Sequence, residues 1–260
     1  MTPYWREPRR VIEACIESVA CQSLAADHVL VADGRAARHE GLGACVACHI
    51  ELARHWNDYG ATPRAIGLEW AIAQGYDAIA LLDADNRFEP DHLEQCLAAS
   101  RLVPCDYVTS GRHLVDEKGA ILPLEDEDFR DHVDTNVLFL LPGAYRVAPV
   151  WARIPAPLHR GGDRFFYAAL RSHGCRRLHL GRNTVRYYTR VPAHYRALGR
   201  EPPAAGNALP DWPEIERWIR QMPAHERSAI ERETGVYLRD LSSLMPMLAP
   251  ASGETIWYVT

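Results

Sequence analysis

The sequence predicts an α/β fold in which a mainly parallel sheet is flanked by helices and followed by a C-terminal helical extension. Short apolar runs of strand length alternate with stretches of helical period through the first half of the chain, a pattern typical of parallel sheets covered by helices. The 260 residues are 47% hydrophobic and 24% charged, which is enough apolar material for a sizeable core. A proline-rich stretch at 201–213 separates the last predicted strand from two amphipathic segments.

In the first half, each element is predicted from its period and its end signals. Pro8 suits the first turn of a helix, and apolar residues recur at helical spacing through 11–20. Asp33-Gly34 ends a short apolar strand, and Thr62-Pro63 fits the N-cap and first turn of the next helix. The predicted order is a helix at 11–20, strands at 28–32 and 46–52, a helix at 62–74, a strand at 77–82 and a helix at 89–100.

The second half is less regular. Strands are predicted at 107–115 and 120–124 around a turn at 116–119, followed by an acidic loop at 125–134 and an apolar strand at 135–141. Pro142-Gly143 begins a short helix, and Gly161-Gly162-Asp163 precedes a longer one. A last strand is predicted at 184–189, and the extension contains helices at 213–221 and 225–241.

Charge and cysteine content exclude several classes of function. The formal net charge is −5, so a general nucleic-acid-binding surface is not expected. No apolar run approaches the length of a membrane-spanning helix, so no integral membrane segment is expected, and the N-terminus lacks the apolar region of a signal peptide. Seven cysteines, an odd number, favour reduced thiols and a cytoplasmic location, with the inner membrane surface as a further option.

The segment Cys45-Val46-Ala47-Cys48-His49 matches the haem attachment string C-x-x-C-H. Attachment would require export, for which the sequence shows no signal. The apolar alternation through 46–52 favours instead a strand with buried cysteines, because a free cysteine behaves as a small hydrophobe. His49 and His55 are interpreted as structural residues.

Three acids follow two of the predicted strands. Asp33 ends the strand at 28–32, and Asp83 and Asp85 end the strand at 77–82. Because ligands of parallel sheets bind beyond the carboxyl ends of the strands, these acids are expected on one rim. Two carboxylates one residue apart offer oxygen ligands to Mg²⁺ or Mn²⁺ and leave coordination positions open for a diphosphate. Acids also follow strands merely as turn formers, so the pair alone is a weak indication.

With its surroundings, the acid pair resembles the glycosyltransferases of the GT-A (Rossmann-like) fold, in particular family 2. Four segments in matching order carry the resemblance over residues 2–100: Thr2-Pro3-Tyr4, Ala32-Asp33-Gly34, Pro63-Arg64-Ala65-Ile66-Gly67 and Leu82-Asp83-Ala84-Asp85. The resemblance implies a hexosyltransferase that moves a sugar from a nucleotide-diphosphate sugar, with a UDP-sugar favoured, to an acceptor hydroxyl with inversion. Residues 1–110 would form the nucleotide-sugar-binding half, 111–200 the acceptor-binding and catalytic half, and 201–260 the helical extension.

The resemblance also implies roles for individual residues. Asp33 would hydrogen-bond the nucleobase, Arg64 would lie near the nucleotide, and Asp83 would touch the ribose or the metal. The implied nucleotide-binding residues are Thr2, Pro3, Tyr4, Asp33, Arg64 and Asp83. The implied metal ligands are Asp85, Asp83 and His194, although His194 could equally be a solvated histidine at a helix start.

Asp163 is the candidate catalytic base. Its segment, 161–166, resembles the Gly-Glu-Asp motif at which family 2 enzymes place the carboxylate that takes the acceptor's proton. The alternative is that Asp163 only caps the following helix. Arg164, Asp134 and Asn136 are predicted to contact donor or acceptor, unless the last two merely end the acidic loop.

Three departures from the family pattern keep other functions open. Ala32 and Ala65 stand where the family has an acid and an asparagine, and the chain begins at the first turn without an obvious strand before it. An inactive GT-A-like binding or assembly module is the non-enzyme alternative, and a sugar nucleotidyltransferase is the nearest enzyme alternative. The acceptor is not identified. The C-terminal helices, with Trp212, Trp218 and Trp257 nearby, could pack on the domain or form a homodimer.

Overall fold

A computed structural model describes residues 1–35, 39–124, 132–204, 206 and 209–239, together with the strand residues 257–259. Parts of three predicted segments lie outside the described residues: the acidic loop at 125–131, the linker at 205 and 207–208, and the end of the last predicted helix at 240–241. Trp257 is described only as a strand residue, without its side chain.

Helices and strands alternate through the first half, as the sequence predicts. The α-helices are α1 (Arg9–Ala20), α2 (Ala61–Ala73), α3 (His92–Ser100), α4 (Gly162–Ser172), α5 (Pro192–Ala197), α6 (Trp212–Gln221) and α7 (Ala224–Thr234). The strands are β1 (Thr2–Tyr4), β2 (Val29–Ala32), β3 (Cys48–Glu51), β4 (Ile79–Ala80), β5 (Arg87–Phe88), β6 (Tyr107–Val115), β7 (Leu138–Leu140), β8 (Arg177–Tyr188) and β9 (Trp257–Val259). Short 3₁₀ segments cover Leu42–Cys45, Thr135–Val137, Pro142–Arg153 and Ala156–Gly161.

The strands form two sheets. In the first, β1, β2 and β3 lie in that order and all pairs are parallel. The second has the order β4-β7-β6-β8-β5, with β9 beside β8. It is mixed, because β7 is antiparallel to both of its neighbours and β5 is antiparallel to β8, whereas β6–β8 and β8–β9 are parallel. The predicted boundary at 110/111 falls inside β6.

The two sheets meet just after β4. The backbone N–H of Leu82 donates to Met1 O at 3.1 Å, and the N–H of Leu81 donates to Leu138 O at 3.0 Å. The residues that follow β4 therefore bridge β1 on one side and the segment at the start of β7 on the other. Residues 81 and 82 thus bond to two different neighbours, and only Ile79–Ala80 of the predicted strand at 77–82 form a regular ladder. The same bridge brings the ends of β1, β2 and β4 to one edge.

The sequence leaves open whether the sheet has a first strand, and the structure shows a short one. Thr2–Tyr4 form β1, which pairs with β2 from Thr2–Leu30 to Tyr4–Ala32. The strand is short but fully buried. One of the three observations that favour an inactive module, a sheet without its first strand, is therefore removed, whereas Ala32 and Ala65 still stand.

Two helix starts differ from the prediction. Thr62 and Pro63 lie inside the first turn of α2, whose N-cap is Gly60 with a left-handed φ of +80°. Asp163 likewise lies in the first turn of α4, and the N-cap is Gly161. The alternative in which Asp163 serves as the helix cap is therefore wrong. Its carboxylate is available for other contacts.

The predicted burial of the C-x-x-C-H cysteines is also wrong. Cys45 is exposed at the end of a 3₁₀ turn, and Cys48 on the edge strand β3 is half-buried. The reason is that β3 has a paired neighbour on one side only within the described sheet.

The C-terminal extension packs on the main domain. Ile215 and Ile219 on α6 are buried, and Trp212 and Trp218 are partly buried against the same core. Because α6 carries its apolar residues at helical spacing, one face of the helix covers the domain and the other remains polar. Among the described helices, none has both the length and the apolarity needed to cross a bilayer.

Candidate active site

Two adjoining pockets open at the carboxyl ends of the parallel strands. The first has a volume of about 470 Å³, and its lining includes Pro3, Tyr4, Asp33, Arg64, Asp83 and Asp85. The second has a volume of about 680 Å³, and its lining includes Arg64, Asp83, Asp134, Asp163, Arg164 and His194. Arg64 and Asp83 lie on the wall between the two. Asp33, Asp83 and Asp85 all line the first pocket, as expected for acids that share one rim of the sheet.

Asp33 lies at the end of β2 with its side chain only 5% exposed. One carboxylate oxygen, Oδ1, accepts from the backbone N–H of Trp56 at 3.0 Å, and Oδ2 pairs with Nδ1 of His55 at 2.8 Å. The His55 ring stacks on Trp5, with centroids 3.7 Å apart and planes 8° from parallel. Asp33 therefore holds the loop at 54–60 against the first strand.

Gly34 allows that loop to approach. Its φ is +98°, and a Cβ built there would lie 2.7 Å from His55 N.

We expect Gly34→Ala to lower the free energy of unfolding by about 2–4 kcal/mol, because left-handed strain and a backbone clash add. Gly75→Ala is the matched control: its φ is +81° but nothing lies within 4 Å, so about 1 kcal/mol is expected. Urea unfolding measures both, and equal losses would contradict the claim that the loop presses on Gly34.

A network of charged and amide side chains holds the Asp83 carboxylate in place. The guanidinium of Arg64 contacts Oδ1, and Asn136 Nδ2 donates to Oδ2 at 3.0 Å. The Asn136 amide oxygen also accepts from the N–H of Asp83 at 2.6 Å, while its Nδ2 reaches Asp134 Oδ1 at 2.7 Å. Asp134 in turn pairs with Arg112 at 2.7 Å. Asp83 and Asp134 each have a cationic partner and an amide partner, so this side-chain network orients Asp83 rigidly.

Asp85, unlike Asp83, has no close partner to balance its charge within the described residues. Among the described residues its cationic partner is Arg190, whose Nη2 lies 3.7 Å from Oδ2, too far for a hydrogen bond. Burial, followed by the charge of Asp83, raises the pKa of Asp85 to about 7 despite Arg190. The ionised carboxyl is therefore poorly compensated. A divalent cation fits this site chemically, because it would neutralise both Asp85 and Asp83 with the oxygen ligands that Mg²⁺ and Mn²⁺ prefer.

The predicted third metal ligand is not brought to this pair. His194 lies on α5 and lines only the second pocket, where Nδ1 is 2.8 Å from Thr189 Oγ1. In the described ranges, no group of three or more His, Cys, Asp or Glu side chains is arranged to hold a metal. A cation at Asp83 and Asp85 would need the remaining ligands from a bound diphosphate and water.

Asp163 lies in the second pocket beside a histidine. His132 Nε2 is 2.7 Å from Asp163 Oδ2, and the backbone N–H of Arg164 donates to Oδ1 at 2.8 Å. Burial favours the neutral acid, but the charges and hydrogen bonds of His132 and Arg164 outweigh it. The pKa of Asp163 therefore lies below its ordinary value. A carboxylate that is ionised at neutral pH and still 24% exposed can accept a proton from a bound hydroxyl.

Two predicted contact residues lie away from the pocket surfaces. Thr2 is fully buried, and its hydroxyl pairs with His28 Nε2 at 2.9 Å. Asn136 is also fully buried and acts on Asp83 and Asp134. The expectation that these side chains touch a ligand directly is corrected: Thr2 supports β1, and Asn136 positions Asp83.

Several lining residues were not predicted from the sequence as site residues. They are Trp5, His55, Tyr59, His132, Tyr187 and Arg190. His55 and Arg190 each follow the end of a strand by a few residues, so the rule that found Asp33 and Asp83 could have found them. His132 has no such signal, because its partner Asp163 lies 31 residues further along the chain.

The comparisons with known proteins concern the fold. No protein-family model matches the chain, and a search of curated proteins finds no match. Among solved structures, S. aureus TarS 1–349 in complex with UDP-GlcNAc matches with a TM-score of 0.60 and 15% identity, over 95% of this chain and 75% of that one. TarS 1–349 in complex with UDP matches with a TM-score of 0.57 and 12% identity, over 76% and 62%.

The chain shares the fold of TarS. The predicted α/β fold class is thereby confirmed. A further TarS structure matches over 76% of this chain but only 37% of that chain, at 13% identity and a TM-score of 0.55. The chain thus spans less than two thirds of two of these three TarS chains, 62% of the UDP complex and 37% of the further structure. Membership of family 2 stays a prediction.

Proposed function

We propose that the protein is a glycosyltransferase that moves a sugar from a nucleotide-diphosphate sugar to an acceptor hydroxyl. One observation carries the proposal: the two pockets share Arg64 and Asp83 in their lining, with Asp85 in the first pocket and Asp163 in the second. A two-substrate transfer needs this arrangement, because the reacting atoms must meet at a shared boundary. TarS, which has the same fold, was crystallised with UDP-GlcNAc and with UDP.

We propose an inverting displacement at that boundary. Asp163 takes the proton of the acceptor hydroxyl as its oxygen bonds to the anomeric carbon, and the bond from that carbon to the diphosphate oxygen breaks. Attack from the face opposite the leaving group inverts the configuration. Arg64 and Arg190 line the first pocket and supply positive charge to the departing diphosphate.

We propose Mg²⁺ or Mn²⁺ as the cofactor. When bound at Asp85 and Asp83, the ion would neutralise charge on the diphosphate leaving group. Arg64 keeps Asp83 oriented, and Asn136 holds it from the opposite side. The poorly compensated charge of Asp85 supports this assignment.

The test is a thermal-shift panel of UDP, GDP, dTDP, CDP and ADP, each with and without Mn²⁺. We expect UDP with Mn²⁺ to raise the Tm most. At a hundredfold excess over Kd, binding to the native state contributes about 2.7 kcal/mol, or roughly 5–10 °C for a chain of this size. Radiolabelled UDP-sugars then identify the donor through transfer or slow hydrolysis. Well-folded protein that responds to none of these nucleotides would exclude the proposal and favour a binding or assembly module.

A further inference from the structure

The carboxylate of Asp33 already has hydrogen-bond partners within the protein. Both oxygens carry a protein hydrogen bond, one from the N–H of Trp56 at 3.0 Å and one from His55 Nδ1 at 2.8 Å. The side chain is only 5% exposed, so little of it faces the first pocket. A direct contact from Asp33 to a nucleobase would have to share or displace one of these partners, at a cost in buried hydrogen bonding.

His55 is the group that Asp33 presents to the pocket. Its Nδ1 is held by Asp33, one ring face lies on Trp5 at 3.7 Å, and its backbone packs against Gly34. The side chain is still 30% exposed and lines the first pocket. Within the described part of the chain, Nε2 has no hydrogen-bond partner. His55 is thus a fixed ring with one nitrogen left for a ligand.

We propose that His55 is the residue that reads the donor's nucleobase, and that Asp33 acts only by orienting it. This inference rests on the proposed function. In the tautomer whose Nδ1–H donates to Asp33, Nε2 carries no hydrogen and acts as a hydrogen-bond acceptor. An acceptor at that position can accept a hydrogen bond from the imide N–H of uracil or thymine. Cytosine and adenine present a lone pair at the corresponding ring nitrogen, so they would place two acceptors against each other.

The same chemistry explains why a histidine can replace a carboxylate in this role. A carboxylate and a neutral imidazole nitrogen both accept a hydrogen bond. A second residue that fixes the tautomer of a histidine is the arrangement by which proteins commonly orient such rings. The stack on Trp5 restrains the ring further, so the acceptor is preorganised before the nucleotide binds.

The experiment is isothermal titration of the Mn²⁺-loaded protein with UDP, CDP and 3-methyl-UDP, which lacks the imide hydrogen. In the unaltered protein, we expect UDP to bind at least about tenfold more tightly than either analogue. His55→Phe keeps an aromatic ring beside Trp5 but removes both nitrogens. We expect it to weaken UDP about tenfold and to bring UDP and CDP within about twofold of each other. His113→Phe, at a half-buried histidine outside both pockets, is the matched control and should leave all three affinities unchanged.

Two outcomes overturn the inference while leaving the proposed function intact. One is equal binding of UDP and 3-methyl-UDP by the unaltered protein, a comparison that needs no variant to fold. The other is His55→Phe protein, folded by circular dichroism, that retains the full preference for UDP over CDP. Binding of no nucleotide at all would overturn the proposed function together with the inference.

Discussion

Asp163→Asn is expected to reduce kcat by about 10²–10⁴-fold while leaving UDP binding unchanged. Asparagine keeps the shape of the side chain but cannot take up a proton. Its amide oxygen can still accept from the N–H of Arg164, so the start of α4 should remain intact. The measurement is initial-rate kinetics with saturating donor, alongside the UDP-dependent shift in Tm.

The pH profile adds a second check on Asp163. His132 and Arg164 hold its pKa below the ordinary value, so the carboxylate is ionised throughout the neutral range. Its protonation should therefore reduce kcat only below the ordinary pKa range of an aspartate, not between pH 6 and 8. Asp91→Asn, at an exposed carboxylate before α3, is the control and should keep full turnover. Undiminished kcat in pure Asp163→Asn protein would show that another group is the base.

Asp85→Asn is expected to remove the Mn²⁺-dependent part of the UDP stabilisation and to lower turnover by at least about a hundredfold. Asparagine offers a neutral oxygen where a divalent cation prefers a charged one. The measurement is the Tm with UDP, with Mn²⁺, with both and with neither. In the unaltered protein the combined shift should exceed the sum of the separate shifts, and in the variant this excess should vanish.

The ligand-free Tm distinguishes this effect from simple unfolding. Burial and Asp83 both disfavour the charge on Asp85, so its removal should leave the ligand-free protein at least as stable at pH 7.5. The Asp91→Asn protein should show the unaltered response to Mn²⁺ and UDP. An intact Mn²⁺-dependent excess in Asp85→Asn would move the cation site away from the acid pair.

The strand-end acids were predictable because their positions depend on chain order alone. Strands of a parallel sheet end at one edge, so Asp33, Asp83 and Asp85 had to share a rim once three strand–helix alternations were recognised. Thr2 was misplaced by the family resemblance, because it begins β1 and lies below the edge that Tyr4 reaches. Sequence position near a motif does not say which side of the strand end a residue occupies.

Side-chain partnerships across long separations were not predictable. Asn136 reaches Asp83 across 53 residues because a 3₁₀ turn at Thr135–Val137 precedes β7, where the sequence predicted a continuous strand. The sequence of the loop at 54–60 carries no pattern that predicts its shape. Its left-handed residues Asn57, Tyr59 and Gly60 bend the backbone, and neither their types nor their order reveals that His55 faces Asp33.

Arg64 lines both pockets, so its positive charge acts on each of them. Its guanidinium donates to Tyr59 O at 2.8 Å, contacts Asp83 and lies 5.0 Å from the Trp151 ring, which lines the second pocket. Because the charge of Arg64 acts on both pockets, we expect an anion bound in the first pocket to change binding in the second. Thermodynamic linkage then requires reciprocity: whatever factor the donor contributes to acceptor affinity, the acceptor returns to donor affinity.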